Sequence, residues 1–189
     1  NPIDVYLTMI DGAVGTKRRV WALIQKTAML LIIAVAITPA FRMRFWNIGA
    51  EGQVLIGGFA TAVVMLKLGG KVPTPVLFII MVVSAIAAGA VWGFIPAFFK
   101  AKSNTNETLF TLMMNYVAIQ LIGYFVLEWS VPKGSGQIGI INQKTQEGWI
   151  PSVGGNAYLV NVIVVAAITI AIAIYLNRTK HGYEIAVVG

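Results

Sequence analysis

The sequence predicts an all-α fold, a polytopic membrane helix bundle with about five transmembrane helices forming a single transmembrane domain over residues 1–189. Three observations lead there. Hydrophobic residues make up 58% of the 189 and charged residues 11%, whereas an ordinary soluble domain carries about 25% charged residues. The mean hydropathy is +0.80. Apolar runs also recur near the roughly 20 residues that a helix needs to cross a hydrocarbon core.

The first run, 22–41, follows the basic cluster Lys17, Arg18 and Arg19 and contains one charge, Lys26, placed where its amine can snorkel to the interface. The second, 54–66, is short for a span, and reaching full thickness draws residues 47–53 toward membrane depth. Either Glu51 is then buried or the helix is broken there. The third, 75–99, carries no charge and ends against Lys100 and Lys102. The fourth, 108–127, is also uncharged but holds Thr111, Asn115, Tyr116, Gln120 and Tyr124, a heavy polar load for a helix in lipid. The fifth, 157–176, is rich in Ile, Val and Ala and stops at Arg178, Lys180 and His181. Between the last two, residues 128–156 contain Pro132, Pro151, Trp129 and Trp149 and read as an aqueous loop with its tryptophans in the interface.

The 14 Lys and Arg against 7 Asp and Glu are scattered between apolar segments, so membrane lipid headgroups rather than nucleic acid are the expected partner of the positive charge. Arg42, Arg44, Lys100, Lys102, Arg178 and Lys180 fall on one side of five spans. Lys17, Arg18, Arg19, Lys67, Lys71, Lys133 and Lys144 fall on the other. The first group sits in tighter loops with fewer acids, which favours that face as cytoplasmic.

Enzyme chemistry finds little footing. With no cysteine, disulfides, thiol catalysis and thiolate metal sites are excluded, and His181 has no partner at metal-ligand spacing. No GxxxxGK[ST] phosphate loop, HExxH or nucleophile elbow occurs. No cofactor is expected, and with no ATP-hydrolysing motif any energy input must come from a partner subunit or an ion gradient.

Two polar constellations remain. Asn47, Glu51 and Gln53 lie among Gly49, Gly52, Gly57 and Gly58. They suit a broken helix lining a translocation pathway, but equally a helix whose first-turn acid, Glu51, faces the macrodipole and headgroups. In the fourth span Glu107, Thr111 and Asn115 recur at four-residue intervals, as do Tyr116, Gln120 and Tyr124, so each set follows one helix face and together they form a broad polar side. Interhelical hydrogen bonding could use some of these groups; their concentration favours a pathway. In the third span Ala85, Gly89, Gly93 and Ala97 form a small-residue stripe suited to close helix packing.

FWNIGAEGQ at 45–53, followed by NETLFTLMMNYVA at 106–118, resembles the permease subunits of bacterial ABC importers for nucleosides and simple sugars, within the branched-chain amino acid/ribose permease superfamily. The opening NPIDVYLTMIDGAVG is similar to the segment that follows the first membrane helix of such permeases, so the expectation is a fragment that lacks an N-terminal helix and the C-terminal part. The closing TKHGYEIAVVG at 179–189 looks like the start of the loop that docks on the ATPase, although the family more often has arginine near Ile185. The resemblance implies a multi-pass subunit of the bacterial cytoplasmic (inner) membrane. Its partners would be a cytoplasmic ABC ATPase that binds ATP, a second permease subunit and an extracytoplasmic substrate-binding lipoprotein or periplasmic receptor. It also implies that Asn47, Glu51 and Gln53 shape the pathway, that Asn115, Tyr116 and Gln120 line it, and that Gly182, Tyr183 and Glu184 belong to the ATPase-coupling region. A branched-chain amino acid permease, a self-contained channel or ion-coupled carrier, and a purely structural membrane subunit are the alternatives.

Overall fold

The computed structural model describes residues 2–130, 134–136, 138–154, 156 and 158–188; Pro132, Lys133 and Ala157, named above, lie outside that set. Among the described residues there are seven helices: α1 (Pro2–Val14), α2 (Lys17–Arg42), α3 (Ala50–Leu68), α4 (Thr74–Ser103), α5 (Glu107–Trp129), α6 (Leu159–Arg178) and α7 (Lys180–Val188). The five from α2 to α6 are long and apolar enough to cross a membrane, and they coincide with the five runs read from sequence. Most large apolar side chains on them are exposed, Ile79, Ile86, Phe94, Ile163 and Ile170 among them. Such a surface suits lipid rather than water.

The chain divides into two compact units, residues 45–149 and residues 1–44 with 150–189. In the first, α4 runs antiparallel to α3 and packs closely along it. The small-residue stripe explains why: a Cβ at Gly57 would stand 3.3 Å from the Ala85 carbonyl oxygen, and Gly89 faces the backbone of Gln53. Small side chains let the two backbones approach without displacing side-chain bulk. α4 ends at Asn104, whose left-handed conformation (φ 49°, ψ 36°) suits asparagine. Three residues later α5 starts, its N-cap Asn106 accepting from the Leu109 N–H at 3.1 Å.

α5 runs parallel to α3. Phe59 lies 4.8 Å from Phe125 and 5.6 Å from Trp129 between ring centroids, which fastens their C-terminal halves. The loop beyond α5 covers the far end of α3: the Asn142 amide donates to the Met65 carbonyl at 3.3 Å and to the Glu147 carbonyl at 3.1 Å, and Trp149 Nε1 donates to Ile141 O at 2.9 Å. Met65 O also accepts from Gly69 N at 3.1 Å, so the Asn142 amide adds a second donor at the C-terminal end of α3.

In the second unit α2 and α6 run side by side and parallel. Arg42, in the last turn of α2, donates to Leu176 O at 3.2 Å and to Asn177 Oδ1 at 3.1 Å, the favoured position for a cation at a helix C-terminus. At the other end Thr16 caps α2 by accepting from Arg19 N at 3.3 Å. The Arg19 side chain reaches back to Asp11 on α1.

Candidate functional site

α3 begins beside the interior of α5. Its first turn is level with Thr111 and Asn115, which stand four and eight residues into α5, about 6 and 12 Å from the start of that 23-residue helix. The non-helical residues 45–49 that lead into α3 therefore lie at membrane depth, where every backbone polar group must find a protein partner.

The row Glu107, Thr111, Asn115 supplies those partners. The backbone of Trp46 hydrogen-bonds Glu107. Thr111 Oγ1 accepts from Ile48 N at 3.2 Å and donates to Thr108 O at 3.1 Å. Asn115 donates from Nδ2 to Ile48 O and accepts at Oδ1 from Gly52 N, both at 2.8 Å. Asn47 closes its own turn, its Oδ1 accepting from Gly49 N at 2.9 Å, an Asx arrangement that costs no partner elsewhere. Thr111 and Asn115 are 0% and 5% exposed. Gly52 has to be glycine for this approach, because a Cβ there would stand 2.8 Å from Asn115 Oδ1 and 3.1 Å from Trp92 Nε1.

The sequence-derived candidates thus fall into separate places. Asn47 and Asn115 come together in the braced turn. Glu51 is exposed in the first turn of α3, and the departure from helical geometry lies just before it. Gln53 is half-buried and its amide lies over Gly93 of α4. Tyr116 and Gln120 stand exposed on another face of α5 with Tyr124, the tyrosines at 63% and 64%; with Val117 and Leu121, Tyr116 and Gln120 line a shallow concavity. Lys100 closes the end of the α4–α5 corner by pairing with Glu107 at 2.8 Å.

Sequence reasoning passed over Trp92, whose buried indole N–H has no acceptor among the described residues. The signal available was its position one residue before Gly93 in the small-residue stripe. No group of three or more His, Cys, Asp or Glu capable of holding a metal occurs among the described residues.

In the other unit the chain turns sharply from α6 into α7. Thr179 accepts at Oγ1 from Gly182 N at 3.1 Å and donates to Tyr175 O at 2.6 Å, so one hydroxyl caps both the helix that ends and the helix that starts. Gly182 is buried, and a Cβ there would collide with the Leu176 and Tyr175 carbonyls. Tyr183 points outward, and Glu184 holds His181 at 3.1 Å. Arg42, which sequence reasoning took only as a flanking charge, grips the same helix end.

Five helices of membrane-crossing length and composition, α2 to α6, define a multi-pass integral membrane protein. The chain belongs to the family described as branched-chain amino acid transport system / permease component, which matches residues 20–189. It is 28% identical over 187 residues to the guanosine ABC transporter permease protein NupP of Bacillus subtilis, covering 97% of this chain and 53% of that protein. It is 27% identical to the nucleoside ABC transporter permease protein NupB of Lactococcus lactis over 198 residues, 100% of this chain and 54% of that one. It is 26% identical to the glucose ABC transporter permease protein TsgB13 of Haloferax volcanii over 200 residues, 100% and 52%. The chain spans about half the length of these relatives. No solved structure matches it.

Proposed function

We propose that this chain forms membrane-spanning wall of a permease subunit in an ATP-driven importer of the bacterial inner membrane, carrying nucleosides or simple sugars. ATP hydrolysis belongs to a separate cytoplasmic subunit, a second permease completes the pathway, and an extracytoplasmic binding protein delivers the solute. The observation that carries the cargo reading is the exposed row Tyr116, Gln120 and Tyr124 on α5: hydroxyls and an amide exchange hydrogen bonds with a hydroxyl-rich, uncharged solute and need no counter-charge. Similarity to permease proteins named for guanosine, nucleosides and glucose supports the same class.

The braced turn gives that wall its rigidity. Loop residues 45–49 are fixed to α5 by side chains, so α3 and α5 move together when the partner ATPases close. α7, with Gly182, Tyr183 and Glu184, takes the push at the cytoplasmic end and passes it to α2 and α6 through the Thr179 cap and Arg42.

A branched-chain amino acid is the competing cargo, and exposed Glu51 at the N-terminus of α3 is the feature that favours it, since a zwitterion seeks a charge and a helix end. Uptake in cells expressing the intact transporter decides between them. Labelled nucleoside or sugar should enter in an ATP-dependent way, and Gln120→Leu should raise KM several-fold. Uptake of leucine or valine in place of both, or uptake by this polypeptide in liposomes without ATP, would overturn the reading.

A further inference from the structure

The seam between α2 and α6 carries a second site, at the end of the helices away from α7. Lys17, Arg18 and Trp21, from the first turns of α2, meet Gly154, Asn156 and Tyr158, which lead into α6, around an open cleft of about 390 Å³. Neither Lys17 nor Arg18 has an ion-pair partner among the described residues, whereas neighbouring Arg19 is engaged by Asp11. Two free cations, an amide and two amphipathic rings are the groups that hold a phosphate at a membrane surface.

An apolar groove follows on the same two helices, between Leu23, Ile24, Thr27 and Leu31 of α2 and Val162 and Ala166 of α6. Helical periodicity links them: residues 17, 21, 24, 28 and 31 share one stripe of α2, and 162 and 165 share one stripe of α6, whose N-cap is Tyr158. From residue 23 to residue 31 the groove runs about 12 Å, close to the depth of one leaflet. A cationic head cleft continued by an apolar groove of that length fits an amphiphile, and free phosphate would use only the first part.

We propose that this seam is a binding site for one anionic phospholipid, its phosphodiester between Lys17 and Arg18, its headgroup hydroxyls against Asn156 and Tyr158, and an acyl chain in the groove below. On the orientation proposed above the lipid belongs to the extracytoplasmic leaflet. That placement accounts for a basic cluster on the face where bases are normally sparse. The bound lipid ties α2 to α6 at the end opposite Arg42, and the site holds whichever solute is carried.

The test is lipid retention by the intact transporter, purified and exchanged into detergent with phosphatidylglycerol or phosphatidylcholine and read by native mass spectrometry. The wild type retains phosphatidylglycerol over phosphatidylcholine. The double variant Lys17→Gln, Arg18→Gln weakens that retention about thirty-fold, in line with two lost surface charges, while Lys17→Arg preserves it. Ala166→Phe, which fills the groove and leaves the charges in place, also displaces the lipid, and millimolar inorganic phosphate does not. Equal retention of the two lipids, an unaffected double variant, an unaffected Ala166→Phe, or displacement by inorganic phosphate would each overturn the proposal. Solute uptake is not the readout, so failure here is distinguishable from failure of the transport reading.

Discussion

α5 presents two polar rows of the same spacing with opposite fates. Glu107, Thr111 and Asn115 turn inward and are consumed by the backbone of residues 46–52; Tyr116, Gln120 and Tyr124 turn outward and remain exposed. Asn115 and Tyr116 are consecutive residues, about 100° apart around the helix. Four-residue periodicity identifies a face but not what the face meets. Short side chains occur where a backbone must come close, and long amphipathic ones occur where a solute or solvent must be reached.

The inward row should respond in stability. Asn115→Leu leaves Gly52 N–H and Ile48 C=O without partners, and with each buried unsatisfied group costing about 1–3 kcal/mol the loss should be roughly 3 kcal/mol, seen as a lowered denaturation midpoint of the purified transporter. Gly52→Ala drives a methyl against Asn115 and Trp92 and should cost about 1–3 kcal/mol by the same assay. If both variants melt like the wild type, the inward row is not a brace.

Effects on coupling come next in size. Gly182→Ala forces α7 off the carbonyl end of α6, so solute-stimulated ATP hydrolysis should fall several-fold while binding protein still docks; unaltered stimulation would remove α7 from the coupling path. The outward row should leave stability alone. Gln120→Leu and Tyr116→Phe should shift the denaturation midpoint by less than about 0.5 kcal/mol, with their effect confined to uptake kinetics. Lys100→Ala, which breaks a partly exposed pair with Glu107, should also leave the denaturation midpoint close to that of the wild type, because an exposed ion pair is screened by solvent.

The spans were legible in sequence because a bilayer imposes a length on apolar runs. Their ends were less so. α2 starts at Lys17 and α4 continues to Ser103, since basic residues extend a helix into the headgroups without any apolar signature. The second span was read as short, yet α3 covers Ala50–Leu68. Its first turn is built from small and polar residues that hydropathy cannot see and that Asn115 stabilises from another helix. The two rows of α5 were legible as faces, but read together as one broad polar side; their division depends on a partner 63 residues away in the chain. α1 and α7 left no span-like signal, being 13 and 9 residues long. The cap at Thr179 and the contact at Gly182 are local, but they acquire meaning only once α6 is known to end at Arg178.

The absence of cysteine makes the division on α5 directly measurable. Single-cysteine variants Thr111→Cys, Tyr116→Cys and Gln120→Cys in the intact transporter can be exposed to a membrane-impermeant thiol reagent, with and without saturating solute. The outward pair should label and be protected by nucleoside or sugar, while Thr111→Cys stays unlabelled. Labelling at Thr111→Cys with none at Tyr116→Cys or Gln120→Cys would mean that the outward row faces lipid and that the pathway lies elsewhere.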